Sequence, residues 1–107
     1  MPFFYRVTKT DPPTAQDFLS LKALGRRLRN DTPENRRLFE GVSVWRTIDA
    51  AQFGVGRFPR MGKFIAELHV PEDGAIPYEQ TTDDPDHFTL WGDTADLLAT
   101  VSALVRA

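Results

Sequence analysis

The sequence predicts an α+β fold: a single mixed, mostly antiparallel sheet of about five or six strands, with two or three short helices. Three observations predict it. Short β-type runs recur at residues 3–8, 42–46, 63–70, 87–91 and 99–105, each bounded by Pro, Gly or Asp. Helix-start signals gather in the N-terminal half, at Thr14, Thr32 and Thr47. No repeat, linker or low-complexity tract interrupts the chain, so residues 1–107 read as one domain. A domain of that length hides roughly 60–70% of its unfolded surface and forms a core without staples.

The elements follow in order. Residues 3–8 alternate and are rich in aromatic and β-branched types; Asp11-Pro12-Pro13 stops the strand, since proline cannot join a ladder. Thr14 as N-cap with Asp17 three positions on predicts a short helix to about Leu24, ended by Gly25. Thr32-Pro33-Glu34 starts a second helix, to about Glu40, with Gly41 as its stop. A strand over 42–46 comes next. Thr47 caps a third helix through Ile48 and Phe53, weakened by Gly54 and Gly56. Residues 63–70 are the clearest strand, with Phe64, Ala66, Leu68 and Val70 on the buried face. An extended piece near 76–79, the strand at 87–91, a single turn through Leu97 and a last strand at 99–105 complete the fold.

Composition narrows the function classes. Apolar residues make up 41% and charged residues 26%, ordinary for a globular protein. No stretch approaches the ~18 apolar residues of a membrane span, and the N-terminal residues lack a signal peptide's basic start and apolar core. The absence of cysteine excludes thiol chemistry and Cys-ligated metal sites, and a cytoplasmic location is expected. The net charge of −2 is unevenly spread: residues 1–60 hold 11 Lys/Arg against 6 Asp/Glu, and residues 61–107 hold 2 against 9. The basic residues cluster at Arg26, Arg27, Arg29, Arg36 and Arg37, a polarity that can steer an anion or align a protein partner. Specific nucleic-acid binding is not expected at a pI near 5.6.

Five residues carry the candidate chemistry. Arg6, inside an apolar strand, needs an anionic partner: a ligand phosphate or carboxylate, or a neighbouring Asp or Glu. Ser43 lacks the Gly-x-Ser-x-Gly surroundings of a hydrolase nucleophile, which leaves a strand serine or a hydrogen bond to a ligand. His87 follows a sharp Asp-Pro-Asp turn and is the candidate catalytic base; His69, 18 residues away, is structural or exposed, and the pair makes no metal set. Trp45 and Trp91 are core or stacking surface for a planar ring. Convergence of Arg6, Ser43, Trp45, His87 and Trp91 on one cleft is the expectation.

The order of these pieces resembles a group of small uncharacterised bacterial proteins. They share a Tyr/Phe-Arg strand, an Asp-Pro-Pro-Thr helix start, Gly-x-Ser-Val-aromatic, an Ile-Ala-Glu-Leu strand and a His-aromatic-Thr-Leu-Trp-Gly-Asp segment. An early strand with Arg6, then Gly41-Val42-Ser43 followed by a helix, is also similar to the ADP-ribosyltransferase-like superfamily. That resemblance implies that Arg6 contacts the NAD ribose or phosphates and that the Ser43 strand supports the nicotinamide pocket. The late-strand glutamate of those transferases has no counterpart here; the region offers His87, with Glu79 upstream. The resulting expectation is a domain that binds NAD, ADP-ribose or a related nucleotide, with ADP-ribosyl transfer or NAD cleavage as its chemistry. The alternative is a non-enzymatic protein-interaction module (an antitoxin, immunity or phage-type regulator) docking through its basic N-terminal half.

Overall fold

The structure, a computed structural model, describes residues 2–107. Its strands are β1 (Phe3–Thr8), β2 (Val42–Trp45), β3 (Phe64–His69), β4 (Tyr78–Gln80), β5 (His87–Leu90) and β6 (Val101–Arg106). The helices are α1 (Pro33–Phe39), α2 (Ile48–Arg57) and α3 (Thr94–Ala99), with 3-10 turns at Ala15–Phe18 and Pro59–Met61. The six strands form one sheet in the order β4-β5-β2-β1-β3-β6. All its pairings are antiparallel, so the parallel component of the expected mixed sheet is not formed.

Two elements differ from the sequence reading. The helix expected from Thr14 to Leu24 is only the 3-10 turn Ala15–Phe18. Leu21 and Leu24 remain 52% and 49% exposed, so the downstream residues present no apolar stripe that a longer helix could bury. In contrast, α2 runs through both Gly54 and Gly56 to Arg57. Thr47 caps it, its hydroxyl accepting from the Ala50 amide at 3.1 Å. Ala51, fully buried, packs against Val7, Trp45 and Ile65, and that burial outweighs the roughly 1 kcal/mol each glycine costs a helix.

The sheet is covered on both faces. One face carries Phe4, Val42, Val44, Ala66, Leu68 and Leu90, which pack with Phe18, Ile76 and Leu97 into the main core. The alternation read in residues 63–70 holds here: Ala66, Leu68 and Val70 are fully buried and Phe64 is half-buried. Ile65, on the other face, is buried too, because α2 lies over it.

Register fixes which side chains can meet. Tyr5 pairs with Trp45, and Trp45 with His87, so these three form one row on the α2 face. Glu67 extends the row from β3 and accepts from the Tyr5 hydroxyl at 3.3 Å. Between β1 and β2 only the pair Tyr5–Trp45 is in register, so the sheet parts beyond it.

Candidate functional site

Trp45 and His87 are brought together; Arg6 is not. Successive strand side chains point to opposite faces, and Tyr5, not Arg6, is level with Trp45 and His87. Arg6 therefore lies on the main-core face. There its Nε donates to the carbonyl oxygen of Asp17 at 3.1 Å and its Nη1 to that of Ser43 at 2.7 Å. The Asp17 carboxylate is itself held by the Lys9 amide, the Thr10 hydroxyl and the Thr14 amide. Desolvation pushes the Arg6 pKa down to about 10, partly opposed by Asp17, so the guanidinium stays charged at neutral pH. The expected common cleft is corrected at this residue: Arg6 ties the 3-10 turn to the sheet.

Trp91 also lies elsewhere. Its indole N–H donates to the Arg37 carbonyl at 2.8 Å, and the Arg37 guanidinium carbon sits 4.2 Å from its ring centre. Arg37 also pairs with Glu79, so Trp91 docks α1 against β4 and β5. Ser43 shares the face of Trp45 and lies level with Thr89, half-buried. His69 stacks on Phe3 with ring centres 4.4 Å apart.

A groove of about 500 Å³ opens beside Trp45 and His87. The two rings meet edge to face, 5.6 Å apart at 85°. Half-buried His87 places Nδ1 2.9 Å from the Thr81 hydroxyl and 3.3 Å from the Thr81 carbonyl oxygen. The Thr81 hydroxyl lies 2.8 Å from that of Thr89, which extends the chain into the sheet. Burial lowers the His87 pKa, against the Thr81 hydrogen bond and nearby Asp84, and so favours the neutral ring. With Nδ1 engaged, Nε2 is the nitrogen left for a ligand or a proton transfer.

The α2 side of the groove supplies what the sequence reading did not single out. Phe53 and Phe58 are 68% and 58% exposed, large apolar surface left at a concave site. The Arg57 guanidinium carbon lies 6.0 Å from the Phe53 ring centre and 5.4 Å from that of Phe58. Arg57 forms no ion pair among the described residues. Gly54 keeps the floor open, since a Cβ there would sit 3.2 Å from Cζ2 of Trp45. The opposite rim is the β4–β5 loop, with Thr82, Asp84 and Asp86. The Gln80 amide nitrogen pins this loop by donating to the carbonyls of Thr81, Thr82 and Asp84. Thr82 holds φ at +66°, a left-handed conformation costly for a β-branched residue.

No three His, Asp or Glu among the described residues could hold a metal ion, and no described helix is long and apolar enough to cross a membrane. Comparison with protein families, curated proteins and solved structures finds no match to this chain.

Proposed function

We propose that the chain binds a nucleotide of the NAD or ADP-ribose class in the groove between α2 and β5. The observation that carries this reading is the convergence, around about 500 Å³ of open space, of Trp45, the His87 ring, two exposed phenylalanines and Arg57, which has no ion pair among the described residues. A planar base or nicotinamide ring suits the slot between the Trp45–His87 floor and the Phe53–Phe58 wall. Arg57, in place of Arg6, suits the phosphates. His87 Nε2 is the group for general-base work if ADP-ribosyl transfer or NAD cleavage accompanies binding.

The test is a thermal-shift series with NAD, ADP-ribose and AMP. A ligand that binds only the folded chain stabilises it by about 2.7 kcal/mol at a hundred times its Kd, so the melting temperature rises. The rise is expected with at least one of the three and is lost in Arg57→Ala. No rise with any of them rejects the reading.

A second reading rests on residues 19–31. Arg26, Arg27 and Arg29 are exposed there beside exposed Leu21 and Leu24, the make-up of a surface for an acidic protein partner. Binding of such a partner would fall steeply with salt, whereas base stacking in the groove would not.

A further inference from the structure

The face of the sheet opposite the groove has a cavity of its own, about 460 Å³, where β1, β2 and β5 meet. Three rings form its wall. Phe4 lies 5.1 Å from Tyr78 and 5.0 Å from Phe88 between centroids, and Tyr78 lies 6.4 Å from Phe88, all tilted. Phe4 is buried by the core behind it, but Tyr78 keeps 42% of its surface exposed towards this end of the sheet. Arg46, the residue after β2, completes the lining with Pro2 and Phe3.

Two polar side chains of this lining, Arg46 and Tyr78, have no hydrogen-bond or ion-pair partner among the described residues. The Arg46 main-chain N–H donates to Asp86 O at 2.8 Å, but its guanidinium has no hydrogen bond or ion pair among the described residues. The Tyr78 hydroxyl likewise has none. Among the described residues no acidic side chain lines the cavity. An arginine beside a low-dielectric aromatic wall favours an anion, and its planar fork matches a carboxylate in two parallel hydrogen bonds. One cation with no cluster of amide donors around it suits a monoanion better than a phosphate dianion.

We infer that this cavity is a binding site for a small aromatic carboxylate, its ring against Tyr78 and Phe88, which Phe4 backs from the core, and its carboxylate on Arg46. The site is distinct from the nucleotide groove, because His87 and Phe88 are consecutive in β5 and point to opposite faces. It stands whether or not the groove binds a nucleotide.

The experiment is a titration of the full chain with indole-3-acetate, followed by amide proton–nitrogen correlation spectra, with indole-3-acetamide as the neutral isostere. Saturable shifts are expected at Phe4, Arg46, Tyr78 and Phe88, with the amide binding about tenfold more weakly than the acid. Arg46 is exposed, so Arg46→Gln leaves the fold intact; it is expected to bring the acid down to the affinity of the amide. Tyr78→Leu is expected to weaken both compounds, since it removes stacking area and not charge. The site is overturned by any of four results: no saturable shift, shifts that map to Trp45 and His87, equal affinity for acid and amide, or an Arg46→Gln chain that binds the acid as the parent does.

Discussion

Nη1 of Arg6 donates to the main-chain oxygen of Ser43 at 2.7 Å, across the gap where β1 and β2 part after their one registered pair. The same guanidinium reaches Asp17 O, so one side chain joins β1, β2 and the 3-10 turn. Without Arg6 the Ser43 carbonyl, at a seam with one registered pair, and the Asp17 carbonyl of the 3-10 turn would both lose this donor. A ligand phosphate at Arg6 would have to displace them. That competition is why the stapling role, and not an anion clamp, is assigned to this residue.

Arg6→Ala is expected to lower stability by about 2–4 kcal/mol in urea denaturation, because it removes two charge-assisted hydrogen bonds and strands their acceptors. Arg6→Lys should recover less than half of the loss, since a point charge cannot serve two carbonyls as the fork does. A loss under about 1 kcal/mol for Arg6→Ala would show that the staple is not needed.

The depressed pKa of His87 sets a pH dependence. The unfolded chain carries this imidazole near its ordinary value of about 6.5 and takes up a proton before the folded chain does. The neutral ring's contribution is therefore complete above about pH 6.5 and is lost as pH falls through the lower folded value. Between about pH 7 and 5 the parent should lose stability faster than His87→Asn, with all carboxylates common to both. Parallel stability curves would contradict the shift.

Leu68 is fully buried among Phe4, Val44 and Leu97 in the main core. Leu68→Ala is expected to cost about 2–5 kcal/mol through the cavity it leaves. A cost below about 1 kcal/mol, read from the urea midpoint at unchanged slope, would mean that the core collapses freely around this position.

The strands were legible because each signal is local. The alternation from Phe64 to Val70 and the stops around it need no knowledge of the rest of the chain. The facing of the site was not legible. Alternation shows that Arg6 and Tyr5 point to opposite sides, but only the pairing of Tyr5 with Trp45 shows which of them joins His87. The α2 wall escaped for a related reason. Gly54 and Gly56 argue against helix from the local sequence, whereas the packing of Ala51 and the fit of Gly54 on Trp45 are tertiary. Once α2 is known to reach Arg57, Phe53 and Arg57 stand one turn apart on a single helix face. The overlong first helix is the converse case: Thr14 and Asp17 form a true start signal, but no buried face continues it.

The surroundings of Gly56 and Gly41 make opposite predictions. At Gly56, in the interior of α2, a Cβ would meet nothing within 4 Å, so Gly56→Ala should stabilise by about 0.5–1 kcal/mol through helix propensity and a less flexible unfolded chain. At Gly41 a Cβ would sit 2.3 Å from Cγ2 of Thr89 and 2.9 Å from Leu90 O. Gly41→Ala must therefore push α1 from β5 and should destabilise by about 1–3 kcal/mol. Thermal unfolding of the two variants checks the contrast, and a destabilised Gly56→Ala would remove the account of α2 given above.

The arginines divide by whether the fold uses them. Arg36 pairs with Asp31, and Arg37 pairs with Glu79 and covers Trp91, whereas Arg26, Arg27 and Arg29 lie exposed in a segment held mainly by turns. Exposed charges contribute little to stability, so replacing those three by Gln should change the unfolding free energy by less than about 1 kcal/mol. Their effect should appear instead in association. Between about 0.01 M and 0.15 M salt the screening length contracts from ~30 Å to ~8 Å. Retention of the parent on immobilised polyglutamate should therefore fall steeply over that range, while the triple variant elutes early throughout. Equal retention of the two chains at low salt would show that this loop is a solvated surface and not a docking element.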